Sequence, residues 1–517
     1  QQHHHQKGLL HYVTIKTLGS LFVRNSVPIR ARRRRDLDMR ALTLITILLV
    51  HKYPTECNSD YKTKRAQILH DEDKLTLGGN INLTQQETKV NKCLMKQKND
   101  EMDYAFEHPE YFNFSYHFFK YKDGIRNSKV FKIIKDVPKG AALHLHDVGL
   151  LGPDYLLNIT YMDGLYFCFN NNINKVLLKF SNKAPDTNCN WKLMRDVRRM
   201  SNNVRKFDAE LRKHFTMVVD DPAHVYPCIK NTWTAFMNYF NTIFPMVTYR
   251  PVWEQYFYDV LKRFREDNIM YVEVRTILPP LYELDGTTYD PVVTAKAYKK
   301  IADRFVKDHP DFIGAKVIYA PPRDVDTNAL ALYLQIAKRV KAEVLDFFAG
   351  FDLLTYFFHA GETDWYGTST DENLVDAILL GAKRIGHAYA LPKHPLLIEE
   401  VLKRDIGLEV NVISNAVLSL VQDVRNHPLA SFFAHGLPVV ISSDDPGAWE
   451  ADPLSDDFYV AFMGVASKSS DLRLLKQLAL NSLKYSALEG DAKTKAFEKF
   501  NVKWNDFVNN FQCSSYN

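Results

Sequence analysis

The 517-residue sequence lacks the short motifs that identify several common enzyme classes. It contains no GxxxxGK[ST] phosphate loop, no GxSxG nucleophile turn, no HExxH helix and no dinucleotide-binding glycine fingerprint. These absences argue against P-loop nucleotide hydrolysis, α/β-hydrolase chemistry, zincin proteolysis and Rossmann-type cofactor binding. Any catalytic residues must therefore come from motifs that lie further apart in the chain.

Cysteine is scarce, and its six positions are too dispersed for a zinc ribbon or a CxxC redox motif. In an oxidising compartment some of them would pair, and Cys168 with Cys189 would close a short loop-rich segment. Buried free thiols are the alternative. The formal net charge of +5 is small for this length and does not indicate a nucleic-acid partner.

Long hydrophobic runs are also missing, so we expect no membrane span. Near the start, Met39-Arg40 precedes ten mostly apolar residues, Ala41–Val50, which is about half of the ~20 residues that a membrane helix needs. We interpret 39–52 as a secretory signal peptide and 1–38 as upstream sequence outside the natural protein. The alternative is a basic tail, Arg30–Arg35, that binds polyanions. Three N-x-[S/T] sequons fit a secreted protein: Asn82, Asn113 and Asn158.

Most of the chain alternates short apolar runs with amphipathic stretches such as Ala329–Leu345, the pattern of parallel βα units. We predict a helical N-terminal extension over 53–135 and a (β/α)8 TIM-type barrel over 136–515, with an irregular insertion at about 153–235. The eight predicted strands are Ala141–His146, Met270–Ile277, Ile313–Ala320, Phe347–Leu353, Tyr356–His359, Arg384–His387, Leu408–Ile413 and Val439–Ser443.

Two motifs bring histidine to the ends of predicted strands. In the first, His144 and His146 are two residues apart on one strand, so both rings point the same way and can bind one metal ion. In the second, a strand ends in His359-Ala-Gly361-Glu362, and the glycine lets the turn bring the glutamate over the same cavity. Taken singly, each motif also fits a coincidental or purely structural role.

Two further motifs complete the set. His387 ends another apolar strand, and the adjacent carboxylates of Asp444 and Asp445 follow a buried strand, where they repel unless a cation or donors stabilise them. Three histidines and one aspartate form a nitrogen-and-oxygen site that suits Zn²⁺ and leaves room for a water molecule. Glu362 and His387 then remain for proton transfer. The PCxxC motif of the other class of zinc deaminases is absent.

The order of these motifs resembles the adenosine deaminase family, specifically its secreted growth-factor subfamily. The resemblance covers about residues 95–515 and includes further segments. These are Val272–Arg275, Trp233–Pro251, Gly367–Ser369, Asn426–Pro428 and Leu475–Ser482.

The resemblance implies a metal-dependent, amidohydrolase-like barrel that converts adenosine and 2′-deoxyadenosine to their inosine products and ammonia. It implies that Glu362 protonates purine N1 and that His387 orients or deprotonates the attacking water. The zinc ligands it implies, for one ion per subunit, are His144, His146, His359 and Asp444.

The same resemblance implies the remaining site and assembly features. Asp445 would hydrogen-bond to the purine, and Asp147 would contact the ribose. A helix carrying Trp233, Phe236 and Phe240 would form the wall of the nucleoside pocket. The N-terminal helices imply a homodimer, and the insertion implies a disulfide between Cys168 and Cys189.

The sequence departs from the family after Leu354, where only about two residues separate the fourth and fifth strands. Parallel neighbours need a crossover of roughly a dozen residues or more, so the crossover between these strands is missing. We interpret the chain as a deletion variant with weakened or lost activity; a natural inactive form and a rearranged barrel are the alternatives. The competing functions are an extracellular growth-regulating or nucleoside-binding protein and an amidohydrolase acting on another amine.

Overall fold

The computed structural model describes residues 56–170, 175–322, 325–352 and 357–516. The chain divides into two compact units, residues 1–71 and 72–517. Of the first unit, the described residues are 56–71, which belong to a helix that continues to Leu75. The predicted signal peptide and the segment before it lie outside them. Among the described helices, none has the length and apolar content that crossing a membrane requires.

The helices and strands are numbered here in chain order. Within the described residues the α-helices are α1 (Glu56–Leu75), α2 (Gln85–Glu107), α3 (Phe118–Tyr121), α4 (Lys129–Asp136), α5 (Pro153–Ile159), α6 (Met194–Met200), α7 (Val204–Arg212), α8 (Pro222–Val225), α9 (Ile229–Val247), α10 (Arg250–Glu266), α11 (Pro291–Asp308), α12 (Thr327–Glu343), α13 (Ser369–Leu379), α14 (Pro395–Arg404), α15 (Val412–Val417), α16 (Leu429–Ala434), α17 (Ser455–Tyr459), α18 (Leu472–Lys484) and α19 (Gly490–Asn510). The strands are β1 (Gly140–His146), β2 (Leu165–Asn170), β3 (Lys175–Phe180), β4 (Lys192–Leu193), β5 (Ile269–Thr276), β6 (Gly314–Tyr319), β7 (Phe348–Phe351), β8 (Phe357–Ala360), β9 (Arg384–His387), β10 (Gly407–Val410) and β11 (Val439–Ile441).

Eight short parallel strands form the centre of the second unit, in two sheets of four. One sheet has the order β1-β5-β6-β7 and the other β11-β10-β9-β8. Strand β5 is buried along its whole length, as expected for a parallel strand that is covered on both faces. All eight predicted strands are present, with ends that differ from the prediction by up to three residues. The predicted ends Leu353 and Tyr356 lie outside the described residues. The largest difference is in β10. The segment Leu408–Ile413 stops being a strand at Val410, and its last two residues begin helix α15, because the chain turns away from the barrel after β10.

The two sheets join on one side only. There, His146 N donates to Asp444 O and Asp444 N donates to His144 O, both at 3.1 Å. On the other side, within the described residues, no backbone ladder pairs β7 with β8. A side chain spans that seam instead, because His359 N donates to Asp352 Oδ1 at 3.1 Å. The fold is therefore a TIM-type barrel that is open where the crossover is missing.

Within the second unit, helices α2 and α4 precede the barrel and pack against its later helices: α2 contacts α18 and α19, and α4 contacts α17. Helix α2 begins at a capping box in which Thr84 and Glu87 each bond the other's backbone. The buried Glu87 carboxylate also accepts a hydrogen bond from Trp504 in α19 (2.8 Å). A disulfide between Cys93 and Cys513 ties α2 to the C-terminal segment, a pairing that the sequence analysis did not anticipate.

The insertion over 153–235 is more ordered than the sequence suggested. Strands β3, β2 and β4 form a small antiparallel sheet in that order, with helix α6 packed against β2 and β4 and helix α9 packed against β3. Alternation of buried and exposed residues along β3 shows that one face of this sheet is packed and the other faces solvent. The expected disulfide between Cys168 and Cys189 is present. Cys228 is free, and it is exposed.

Candidate metal centre and active site

The carboxyl ends of three strands bring four possible metal ligands together. Strand β1 supplies His144 and His146, β8 supplies His359, and the turn after β11 supplies Asp444. The Nε2 atom of His359 lies 3.0 Å from that of His144 and 3.3 Å from that of His146. Asp444 Oδ1 lies 3.1 Å from His146 Nε2 and 3.5 Å from His144 Nε2. The three histidines form one cluster of mutually close ligand atoms, and Asp444 adjoins it through His144 and His146.

The donor chemistry of this cluster fits a divalent cation. His144 Nδ1 lies 2.8 Å from Glu409 Oε2, and His359 Nδ1 lies 2.7 Å from Asp352 Oδ2. Because each Nδ1 faces a carboxylate and donates to it, each Nε2 carries a lone pair, and lone pairs 3.0 Å apart repel without a cation between them. Tetrahedral zinc with bonds of 2.0–2.1 Å separates its ligand atoms by about 3.3 Å. Four separations among the proposed ligand atoms, at 3.0–3.5 Å, are close to that value.

Two further features support ligand roles for this cluster. Asp444 Oδ1 is buried, and no hydrogen-bond donor is directed at it within the described residues. Burial, together with Arg275 and the neighbouring histidines, holds the pKa of His144 well below its usual range. The ring is therefore neutral, as a metal ligand must be.

A buried charge network lies behind the histidines. Arg275 Nη2 donates to Glu409 Oε2 at 2.7 Å, and Arg275 Nε donates to Asp352 Oδ2 at 3.1 Å. One guanidinium thus connects the two carboxylates that orient His144 and His359. We name this set, Arg275 with Glu409 and Asp352, the carboxylate bridge. The sequence analysis did not select these residues, although charged side chains within otherwise apolar strands were a visible signal.

Glu362 and His387 form a pair beside the ligand cluster. Glu362 Oε1 lies 3.6 Å from His387 Nε2, which is 3.9 Å from Asp444 Oδ2. Asn415 Nδ2 donates to His387 Nδ1 at 3.1 Å and so fixes the orientation of the ring. His387 and Asp444 both adopt left-handed backbone conformations, with φ of 63° and 60°. Such strain in residues other than glycine concentrates at functional sites.

The two remaining acidic residues are buried close to the cluster. Asp147 follows β1 and accepts a hydrogen bond from Tyr298 Oη at 3.1 Å. Burial raises the pKa of Asp147 to about 6, although its hydrogen bonds oppose the shift. Burial and the neighbouring carboxylates raise the pKa of Asp445 well above its usual range. Asp445 packs against Gly149, where a Cβ atom would lie 2.0 Å from Asp445 Oδ1.

That contact gives a direct test of the position of Asp445. We expect Gly149→Ala to displace the Asp445 carboxyl group and to lower kcat/KM for adenosine by about 10²-fold, since misplacement by about 1 Å is enough for such a loss. The matched control is Gly124→Ala, because a Cβ atom at Gly124 meets nothing within 4 Å. Steady-state kinetics of both variants check the expectation, and equal kinetics would show that the position of Asp445 does not matter.

The aromatic residues predicted to wall the pocket lie on helix α9. Ring centroids of Phe236 and Phe240 are 4.9 Å apart, and Trp233 lies 5.7 Å from Phe236. Helix α9 packs against the turn formed by Asp147–Gly149. Its Thr232 Oγ1 also lies 3.1 Å from Ser419 Oγ, in the segment after α15. The helix therefore lies over the end of the barrel that carries the ligand cluster.

Comparison with known proteins decides the family. The family model described as adenosine/AMP deaminase N-terminal matches residues 41–134, and the adenosine deaminase model matches residues 351–502. An adenosine deaminase of Aedes albopictus is 42% identical over 470 residues, which cover 86% of this chain and 87% of the relative. The chain belongs to the adenosine deaminase family.

A human relative and a solved plant structure are also similar to this chain. Adenosine deaminase 2 of Homo sapiens is 40% identical over 473 residues, covering 86% of this chain and 92% of the relative. Among solved structures, Arabidopsis ADAL complexed with GMP has a TM-score of 0.49 and 15% identity, covering 72% of this chain and 98% of that chain. The adenosine deaminase match over 351–502 includes His359, Glu362, His387, Asp444 and Asp445.

The alignment with the human family member also shows how many residues of that relative have no counterpart in this chain. It runs over 473 positions, whereas 86% of 517 residues is about 445. About 28 aligned positions of the relative therefore have no counterpart here. The same arithmetic gives about 25 positions for the mosquito relative. The chain is shorter than its relatives within the aligned region, which agrees with a missing segment.

Proposed function

We propose that this chain is a secreted, zinc-dependent adenosine deaminase that hydrolyses adenosine and 2′-deoxyadenosine to inosine products and ammonia. The observation that carries the proposal is the cluster of His144, His146, His359 and Asp444, in which four ligand-atom separations are 3.0–3.5 Å, beside the Glu362–His387 pair. Names of relatives that are about 40% identical over most of the chain support the substrate.

The proposed zinc ligands are His144, His146, His359 and Asp444, for one ion per chain. A zinc ion held by them would supply a Lewis acid that acidifies a water molecule towards a pKa of about 7. The carboxylates of Glu409 and Asp352 hold two of the rings in the orientation that directs Nε2 inward. Because these two hydrogen bonds hold the imidazole rings in place, the rings need to move less when a zinc ion binds.

Proton transfer is assigned to the pair beside the ligands. Glu362 donates a proton to purine N1, which makes C6 more electrophilic, and His387 orients or deprotonates the attacking water. The water oxygen bonds to C6, one water proton passes to the amino group, which leaves as ammonia, and the other returns to Glu362, so that inosine keeps the proton on N1. Glu362 Oε1 and His387 Nε2 are 3.6 Å apart, so Glu362 can reach purine N1 while His387 reaches the water molecule that attacks the adjacent C6.

Recognition of the nucleoside is assigned to the residues around this pair. The Asp445 carboxyl group hydrogen-bonds to the purine, and Asp147 contacts the ribose. The aromatic rings of Trp233, Phe236 and Phe240 provide an apolar wall for a planar base. A buried wall with a few polar groups is the usual composition of a small-molecule site.

The proposed setting is extracellular, with glycosylation and a homodimer formed through the N-terminal helices. Two disulfides support an oxidising compartment. The three sequon asparagines, Asn82, Asn113 and Asn158, are all exposed and so are accessible to a glycan.

Removal of the metal tests the chemistry of the site. We expect dipicolinate treatment to abolish the conversion of adenosine to inosine, and one equivalent of Zn²⁺ to restore it, because chelation removes the Lewis acid. We expect His359→Ala to abolish the conversion as well, because it removes one of the four proposed ligands. The histidine control is His435→Ala, which alters an exposed histidine outside the ligand cluster. Turnover that survives full removal of zinc, measured by chromatography of inosine, would contradict the proposal.

A second candidate function is a weakened or inactive form that binds nucleosides or regulates growth outside the cell. The observation that favours it is the open seam between β7 and β8, which borders Asp352 and His359. Equilibrium dialysis with radiolabelled adenosine distinguishes the two. Binding without inosine formation by folded, zinc-loaded protein would favour this candidate over the enzyme.

A further inference from the structure

Three buried side chains outside the ligand cluster surround the ring of His387. They are Asn411, Asn415 and His427, and each of them is buried, with at most 2% of its surface exposed. Asn415 lies in α15, and His427 lies in the family-like segment Asn426–Pro428, to which the proposed function assigns no role. Hydrogen bonds connect Leu429, His427, Asn415 and His387 in that order, and we name this series the hydrogen-bond path.

The direction of the hydrogen-bond path is set at its start by a backbone N–H, which can only donate. Leu429 N donates to His427 Nδ1 at 2.9 Å, so this nitrogen carries a lone pair. Burial lowers the pKa of His427 to about 3, so the ring is neutral and its proton lies on Nε2. His427 Nε2 therefore donates to Asn415 Oδ1, which lies 2.9 Å away. The carboxamide of Asn415 is thereby fixed with its oxygen towards His427.

The same carboxamide decides which nitrogen of His387 carries the proton. Because Asn415 Oδ1 faces His427, Asn415 Nδ2 faces His387 Nδ1 and donates to it at 3.1 Å. His387 Nδ1 must then carry a lone pair, and the proton of the neutral ring lies on Nε2. Two carboxylate oxygens lie on the Nε2 side of the ring, Glu362 Oε1 at 3.6 Å and Asp444 Oδ2 at 3.9 Å. The N–H thus points towards acceptors.

Asn411 lies on the other side of the His387 ring. Its Nδ2 is 3.4 Å from His387 Nε2, but two carboxamides cannot donate to both nitrogens of one neutral imidazole, which has a single lone pair. The carboxamide of Asn415 is fixed by the hydrogen-bond path, so the carboxamide of Asn411 must turn. Its Oδ1 is buried and has no hydrogen-bond partner among the residues that the structure describes. A turn of the carboxamide by 180° lets this oxygen accept the proton of His387 Nε2.

We propose that Asn415 and His427 are positioning residues that hold His387 in the tautomer with the proton on Nε2 and the lone pair on Nδ1. The catalytic consequence rests on the proposed function. This tautomer orients the attacking water, because Nε2–H donates to the water oxygen, and it cannot deprotonate that water, because the lone pair faces Asn415. It also excludes His387 from the ligand set, although the ring lies close to His144 and Asp444, since a protonated nitrogen cannot bind a metal ion.

Nitrogen NMR of the folded full chain with one equivalent of Zn²⁺ tests the tautomer directly. In protein that carries isotope-labelled histidine, proton–nitrogen spectra distinguish a protonated ring nitrogen from one with a lone pair. The signals of His387 are those that His387→Gln removes. We expect Nδ1 of His387 to be unprotonated, and a proton on Nδ1 in the unsubstituted chain would overturn the proposal. Because the spectra need no substrate, they decide this point even if the chain does not deaminate adenosine.

Two matched substitutions test whether the hydrogen-bond path sets the tautomer. Asn415→Asp replaces the donor at Nδ1 by an acceptor of the same shape, so we expect a proton to appear on Nδ1 of His387. Asn411→Asp makes the same change on the other side of the ring and is expected to leave Nδ1 unprotonated, because Asn415 still donates to it. An unprotonated Nδ1 in Asn415→Asp, or a protonated Nδ1 in Asn411→Asp, would overturn the proposal.

A second pair of variants avoids placing a new carboxylate in the core. His427→Gln keeps an N–H that can donate to Asn415 Oδ1, whereas His427→Leu removes the donor. We expect Nδ1 of His387 to stay unprotonated in the first variant and to become partly protonated in the second. We also expect kcat for adenosine to fall by about 10-fold to 100-fold in His427→Leu and to recover in His427→Gln, at unchanged zinc content. Identical Nδ1 signals in the two variants would overturn the role of His427, whereas absence of turnover in the unsubstituted chain would contradict only the proposed function.

Discussion

Replacing Glu362 by glutamine is expected to lower kcat for adenosine by about 10²–10⁴-fold while zinc binding stays at one ion per chain. The reason is geometric and chemical. Glu362 is not among the four converging ligand atoms, yet its carboxyl group lies 3.6 Å from His387 Nε2. Glutamine keeps the size and hydrogen-bonding reach of the side chain but cannot release a proton to the purine. Loss of turnover with retained metal is therefore the signature of a proton donor.

The measurement pairs inosine formation with zinc content on the same preparation. Glu372→Gln provides the control, because Glu372 is an exposed glutamate in the first turn of α13. If the Glu362 variant kept more than about a tenth of the activity, the proton would have to come from another group. If it lost its zinc, Glu362 would belong to the ligand set instead.

The site of Glu362 could be predicted from the sequence because it depends on local features. Gly361 has a φ of 64°, and a Cβ atom there would lie 2.7 Å from Leu374 Cδ1, so the turn that carries Glu362 requires glycine. Parallel strands in a barrel all end at the same rim, which brings residues such as His359 and Asp444 together. Motifs at strand ends therefore predict a site without knowledge of the strand order.

Features that depend on distant pairing could not be predicted in the same way. The Cys93–Cys513 disulfide joins residues separated by 420 positions, and no local pattern specifies that partner. Arg275 is 77 residues from Asp352 and 134 from Glu409 in sequence. A charged residue inside an apolar strand indicates a buried partner but does not identify it. The partners of Arg275 are determined by the order and register of the barrel strands, which bring Asp352 and Glu409 next to it.

Removing the guanidinium of the carboxylate bridge is expected to weaken zinc binding and to destabilise the fold. In Arg275→Met, the carboxylates of Glu409 and Asp352 stay buried without their shared cation. Breaking a buried ion pair in this way costs about 3–5 kcal/mol of folding free energy. Because these carboxylates orient His144 and His359, we also expect zinc affinity to fall by about 10-fold to 100-fold.

Chelator competition at a temperature well below unfolding separates the two effects, since it measures zinc affinity on protein that is still folded. Arg275→Lys is expected to rescue little, because a single ammonium group cannot bind two carboxylates in the geometry of a guanidinium. Arg265→Met is the arginine control. Arg265 pairs with Asp311 at the surface, where an ion pair contributes about 0–1 kcal/mol. If Arg275→Met lowered stability but left zinc affinity unchanged, the bridge would support the barrel core without orienting the ligands.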